Sequence, residues 1–276
     1  MSGMSEESAG IRVDAGDDGV CRIVIDRPDV GNSLSPLARD ALADALADAH
    51  ADTDTRAVLL TSAGSRHFCA GAGLASRPAG ASAVLPADRR PGDIARMLAQ
   101  GWQRLVNAVL DCDKPVVAAV NGTAVGAGAS LVLACDIVVM GRQSTLVEAF
   151  VHRGILPDSG AVHLLTRIVG LRKATELLML GEPVDADECL RLGLVNRVVP
   201  AEQVDQAADA LAVQLAAGPS VMLALTKRLL SVSSESPRER AFEQEAWAAE
   251  LISRTSDLQE GLRAFAERRP PRFTGR

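Results

Sequence analysis

Between Lys114 and Asp136 the chain runs for 21 residues without a charge. A segment of that length would cross a bilayer as one helix. This one contains Pro115, Asn121, Gly122, Gly126 and Gly128, and it changes character half-way, from the β-branched run Val116–Val120 to the helix-favouring run 129–134. The pattern predicts a buried strand, a glycine turn and a buried helix. Such a segment needs cover on both sides, so the rest of the chain has to supply layers around it.

The flanking sequence supplies them. Residues 20–25 alternate apolar side chains with Arg22 and end in Asp26, Arg27 and Pro28, a strand closed by a turn. Ser35 and Pro36 then form an N-cap and first-turn pair, after which Ala38, Leu42, Ala45, Leu46 and Ala49 share one helical face. A strand is expected over 57–61. A long helix capped by Asp93 follows, with Ile94, Met97, Leu98, Trp102, Leu105, Val106 and Val109 as a stripe that has to bury. Another strand covers 137–140. This alternation predicts an α/β fold, and no repeat of 20 to 50 residues is evident in it.

From Ser159 onward the pattern is mostly helical, with Gly170, Gly181 and Gly218 as stops, a short strand over 194–199, and a capping box at Asp185 and Glu188. The last sixty or so residues carry Leu223, Leu229, Leu230, Phe242, Trp247, Leu251, Leu262 and Phe265 on helices of mixed polarity. That surface is expected to pack on the core or on a neighbouring subunit. Residues 1–10 read as a frayed polar tail, and 75–92, rich in Ala, Gly, Ser and Pro, as a mobile loop.

Composition removes several classes of function. The 276 residues hold 29 Lys and Arg against 35 Asp and Glu, and they include no Tyr, five Phe and two Trp. Little is present to neutralise phosphates or stack on bases, so nucleic acid is not an expected partner. Cys21, Cys69, Cys112, Cys135 and Cys189 form no CxxC pair, which argues against a zinc site or a disulfide framework and for buried thiols in a reducing cytoplasm. The amino end has neither the basic start nor the apolar run of a secretion signal, and no membrane association is expected.

Two loops place small residues directly after strands, where backbone amides can point outward: Phe68, Cys69, Ala70, Gly71, Ala72, Gly73, Leu74, and Asn121 through Ser130. Two amides aimed at one oxygen stabilise an enolate or tetrahedral oxyanion, with about 3 to 4 kcal/mol at stake per donor. Tight turns are the plain alternative. A dinucleotide site built on Gly126 and Gly128 is a competing use, but Leu131 stands where the third glycine of that fingerprint belongs.

The two loops, in this order and at this separation, resemble those of the crotonase (enoyl-CoA hydratase/isomerase) superfamily. The resemblance extends through Arg27, Pro28, Asn32, Ser33 and Leu34, the segment 114–122, Cys135, Asp136 and Ile137, the segments 154–160 and 193–196, and the basic end around Arg272 and Phe273. It implies a spiral of ββα units over 11–200, a carboxy-terminal helical region over 201–276 that trimerises, homotrimers or dimers of trimers, and a coenzyme A thioester as ligand. By position it assigns the oxyanion hole to the amides of Ala72 and Ala127. The resemblance places Arg27, Ser33, Leu34 and Ala70 along the coenzyme channel, and Gly71, Leu74, Gly126, Ser130, Phe150 and Phe273 around the substrate. No metal or redox cofactor is implied.

The sequence departs from the family at the acid and base positions. Hydratases of the superfamily use two glutamates, and the matching positions here are Ser130 and Phe150, which exchange no proton as a carboxylate does. Glu148, nearby, reads as a solvated or structural charge. Asp158 in the run Ile155, Leu156, Pro157, Asp158, Ser159, Gly160 resembles the aspartate of isomerase subgroups, and one carboxylate beside an apolar wall can carry a proton from C2 to C4 of an enoyl thioester. As an alternative, Asp158 is an N-cap for the helix that follows. The sequence therefore points to an enoyl-CoA isomerase. The alternatives are an acyl-CoA-binding protein that has lost chemistry, and a hydratase with degenerate acid and base positions.

Overall fold

The computed structural model describes residues 9–73 and 90–276. The predicted loop over 75–92 and Leu74 fall largely outside them, as do residues 1–8. Ala9 and Gly10 are no part of a frayed tail: Ala9 is buried, and the Gly10 carbonyl accepts from the Asp26 N–H at 2.8 Å.

A six-stranded sheet is ordered β1 (Ile11–Ala15), β2 (Val20–Ile25), β3 (Ala57–Ser62), β5 (Val116–Val120), β7 (Ile137–Gly141), β10 (Arg197–Val199). All of its pairings are parallel except that of β1 with β2. A second sheet of very short strands is ordered β4 (His67–Cys69), β6 (Thr123–Val125), β8 (Thr145–Val147), β9 (Val184–Asp185). The predicted strand over 194–199 is shorter than expected, because at Asn196 the side-chain oxygen accepts the Val138 N–H at 2.8 Å in place of a backbone carbonyl, while the Asn196 N–H still donates to the Val138 carbonyl at 3.0 Å.

The chain winds through both sheets in the same order. It passes β3 and β4 to α2 (Asp93–Gln100) and α3 (Trp102–Leu110), β5 and β6 to α4 (Ala127–Ala134), and β7 and β8 to α5 (Ala161–Leu180). Each turn gives one strand to each sheet and then a helix, so the fold is the expected spiral of ββα units. It is also a repeat that the sequence conceals. The units begin at Ala57, Val116 and Ile137, at unequal separations, and share no spacing to detect.

The uncharged segment is the central turn of the spiral. Val116, Ala118 and Val120 face a core built from α1 (Pro36–Ala51), α3, α4, α5 and the second sheet, and Val117 and Ala119 face the other way. The glycine turn contains the strand β6, and every residue of α4 is buried. Ser35 caps α1 as expected, accepting the Ala38 N–H at 3.2 Å, and the predicted face is buried.

Three expectations change. The helix over 93–109 is two helices, broken at Gly101, where a side chain would stand 2.6 Å from the Met97 carbonyl. Only α3 buries its stripe, with Trp102, Leu105, Val106 and Val109, while α2 has no buried residue. Asp93 lies inside α2 rather than capping it, with Gly92 at the cap position. Finally, the boundary at 200 cuts through the core. Val204, Ala208, Leu211, Ala212 and Ala216 of α7 (Val204–Ala216) close the second face of the large sheet against Val20, Leu59, Val117, Ala119 and Val139.

Beyond α7, α8 (Ser220–Ser233), α9 (Arg238–Ile252) and α10 (Ser256–Glu267) bury few side chains. They are tied to the core by polar contacts. Lys227 donates to the Asp136 carboxylate at 2.7 Å and to the Val109 carbonyl at 2.9 Å, and Asp136 also accepts the Val116 N–H. Burial pushes the Asp136 carboxyl up and the Lys227 ammonium opposes it. Lys227→Met strands that carboxylate, so it is expected to lower unfolding free energy by about 2 to 3 kcal/mol. Adding Asp136→Asn is expected to restore part of the loss, as a double-mutant cycle by denaturant titration will show.

Candidate active site

The first loop is built on Asn32. Its backbone is left-handed (φ 54°), and its buried side chain donates to the Ala63 and His67 carbonyls at 2.9 and 2.7 Å while accepting the Arg27 N–H at 2.9 Å. Arg27 donates to the carbonyls of Ser33 (3.0 Å) and Ala9 (2.9 Å). Its guanidinium therefore holds the turn. The turn in turn holds the loop: Ala70 N–H donates to Gly31, Leu34 N–H to Gly71 and Gly73 N–H to Leu34, at 3.0, 2.9 and 3.3 Å. In this short parallel bridge the Ala72 N–H is left over, on an exposed residue and without a partner among the described residues.

The second loop is the entry to α4. Gly126 donates to the Val147 carbonyl at 2.7 Å and its own carbonyl accepts the Ser130 N–H at 3.0 Å. No side chain caps the helix, so the Ala127 N–H is one of the open donors of its first turn. Glycines bring the two loops together. Gly71 (φ +78°) lies where a side chain would stand 2.7 Å from the Val125 carbonyl and 3.5 Å from Ala127 N, and one at Gly128 would stand 2.2 Å from the Cys69 carbonyl. The structure thus brings Gly71 against Val125 and Ala127, and Cys69 against Gly128, with Ala70 and Ala72 the chain neighbours of Gly71.

Around this contact Ser33 and Leu34 are buried in the turn. Ser130 is fully buried and its hydroxyl points back at the Gly126 carbonyl, 3.5 Å away. The Phe150 ring stands 3.7 Å from the point a Gly126 side chain would occupy, so an apolar wall closes the turn. His152 is engaged with the Gly181 carbonyl at 3.0 Å. Phe273 is elsewhere in this chain, in an apolar cleft with Pro219, Met222, Ile252, Leu258 and Gly261. Its carbonyl accepts from Arg56 at 3.3 Å.

Asp158 does not cap α5. Gly160 occupies the cap position with no side-chain cap bond, and the Asp158 carboxylate, half-buried, accepts the Ser159 hydroxyl at 2.7 Å and no other donor among the described residues. Ser159 is buried with a left-handed backbone (φ 55°), a conformation uncommon for a residue with a side chain.

Glu148 corrects the sequence reading. It is 4% exposed, and neither carboxyl oxygen has a hydrogen-bond partner among the described residues. Burial pushes its pKa up to about 8. The one hint in the sequence was its company, Leu146, Val147, Ala149 and Phe150, which leaves a charge nowhere polar to go.

For a metal, the described residues offer one group, His50, Cys112 and Asp113. Asp113 is already paired with Lys114 at 2.9 Å and with His50 at 3.0 Å.

The profile of the enoyl-CoA hydratase/isomerase family matches residues 15–276. The chain belongs to this family. A probable enoyl-CoA hydratase of Rhodobacter capsulatus is 35% identical over 94% of this chain and 96% of its own. The 1,2-epoxyphenylacetyl-CoA isomerase of Escherichia coli is 34% identical over the same shares. Among solved structures, the enoyl-CoA hydratase of Bacillus anthracis superposes with a TM-score of 0.87 at 30% identity, over 97% of this chain and all of that one. The family's acyl-CoA chemistry gives the paired loops their context, and the spiral is its crotonase fold.

Because its folded pKa is raised, Glu148 stabilises the fold below the unfolded value of 4.5 and loses that contribution as pH rises through about 8. Glu148→Gln is therefore expected to match the wild type near pH 4. At pH 7 it should be more stable by about 3 kcal/mol. Denaturant unfolding from pH 4 to 8.5 reads this difference directly.

Proposed function

We propose that this chain is an enoyl-CoA isomerase of its family. The thioester oxygen lies on the amides of Ala72 and Ala127, where enolate charge developing during reaction meets two donors. The Asp158 carboxylate removes a proton from C2 of a 3-enoyl-CoA. The electrons move into the thioester as an enolate, and the same proton returns at C4 as the double bond shifts to C2–C3. Atoms and charge balance within substrate and side chain, so the step calls for no metal or redox cofactor.

What carries the reading is the freedom of Asp158 from helix capping, beside two hydratase positions that hold no acid. Ser130 spends its hydroxyl on its own helix, and Phe150 keeps water from the turn. Arg27, Ser33, Leu34 and Ala70 shape the coenzyme side and Gly71, Gly126, Ser130 and Phe150 the acyl side. The name of the Escherichia coli relative, an isomerase acting on an acyl-CoA, fits this better than the hydratase names do.

The protein assembles as a homotrimer or a dimer of trimers in the cytoplasm. Phe242, Trp247, Leu262 and Phe265 leave α9 and α10 with large apolar side chains in solvent, and Phe273 reaches substrate only from a neighbouring subunit.

Two outcomes are expected. Asp158→Asn lowers the rate of 3-enoyl-CoA isomerisation at least about 100-fold with the dissociation constant for the thioester unchanged, and the wild type makes no 3-hydroxyacyl-CoA from 2-enoyl-CoA. Chromatography of the products decides this, and a hydrated product would assign the chain to the hydratases instead. Light scattering is expected to return three or six times the 28.9 kDa chain mass; a monomer would refute the assembly.

A further inference from the structure

Glu148 has no part in the proton shift, yet it stands beside the oxyanion turn. The parallel register of β6 and β8 sets Ala124 beside Leu146 and Val125 beside Val147. The bond from Gly126 N–H to the Val147 carbonyl extends that register by one residue, which puts Glu148 opposite Gly126, the residue before Ala127. Gly126 brings no side chain to the space between them. Among the described residues, the atoms within 4 Å of where its Cβ would stand, beyond its chain neighbours and helix, are two carbons of the Phe150 ring. A backbone turn and an aromatic ring thus meet at the residue opposite Glu148, whose two carboxyl oxygens are idle among the described residues.

A buried carboxyl without a partner is costly, and substituting an apolar residue of similar size would remove the cost. Burial raises its pKa, and no cation or anion among the described residues contributes. At neutral pH the group is a COOH, with one O–H to donate and one oxygen to accept. The thioester oxygen is served by the amides, so a partner for Glu148 has to come from further along the ligand. Resting on the acyl-CoA reading above, we propose that the Glu148 carboxyl meets the acyl group and selects thioesters carrying a second oxygen, as hydroxyl, ketone or epoxide, a few bonds from the thioester carbonyl. A plain hydrocarbon chain leaves that carboxyl unpaired, and a site built around a hydrogen bond discriminates against the ligand that lacks it.

Titration calorimetry at pH 7 with hexanoyl-CoA and its 2-, 3- and 4-hydroxy derivatives tests this. The wild type is expected to bind at least one hydroxy derivative about tenfold or more tighter than hexanoyl-CoA. Glu148→Met and Glu148→Leu are expected to erase that preference while binding hexanoyl-CoA as well as or better than the wild type. Glu148→Gln, which keeps a donor, retains most of it. Thermal melts of the variants at or above the wild-type midpoint establish that they are folded. Binding of hexanoyl-CoA with no preference in the wild type, or a preference that survives in the apolar variants, overturns the assignment of Glu148 alone. Failure of the wild type to bind any of the four thioesters overturns the acyl-CoA reading and this inference with it.

Discussion

The place where Gly128 meets the Cys69 carbonyl is the contact on which the arrangement turns. A methyl group there would stand 2.2 Å from that oxygen, so the second loop approaches the first as closely as backbone permits. Helix α4 enters the core behind this point, buried along its whole length, and the strands on either side of it are fixed by the same approach. Gly71 repeats the device from the opposite side, against Val125. Two stretches of chain far apart in sequence are thus locked together by the absence of two side chains.

How much of this the sequence disclosed depended on the range of the signal. Ser35 and the face of Ala38, Leu42 and Leu46 were legible because a cap and a period of three to four lie within one element. The segment from Pro115 to Cys135 was legible because both of its faces are covered, which leaves no room for charge. The second sheet was not, since strands of two or three residues such as β6 and β8 contain no period to read. Gly101 broke a stripe whose apolar spacing continued across it. The role of α7 was hidden for another reason: its alanines read as a weak helix until the small side chains of Ala57 and Ala119 show how near it approaches the sheet.

At the site, the family pattern indicated where to look and the physics decided what was there. Asp158 had two readings that the sequence left open, and the position of Gly160 at the helix start removes the cap. Glu148 was misjudged because a charged residue is solvated by default. It directly follows β8, whose pairing with β6 sets it opposite Gly126, and it is buried there. Phe150 and Ser130 share one property: both are buried, and neither brings a carboxyl to the turn.

The five thiols have a practical corollary. All are buried and none is in a disulfide, and burial pushes the Cys69 and Cys189 thiols up to about 12, far from the thiolate form that reacts. Cys69 itself makes the contact with Gly128, whereas Cys21 lies on β2 and Cys189 between β9 and β10 in sequence. A maleimide added to the native protein meets no accessible sulfur, so each modified cysteine records an opening of its own neighbourhood. The chain carries five intrinsic clocks of local unfolding, one of them set at the seam between the two loops.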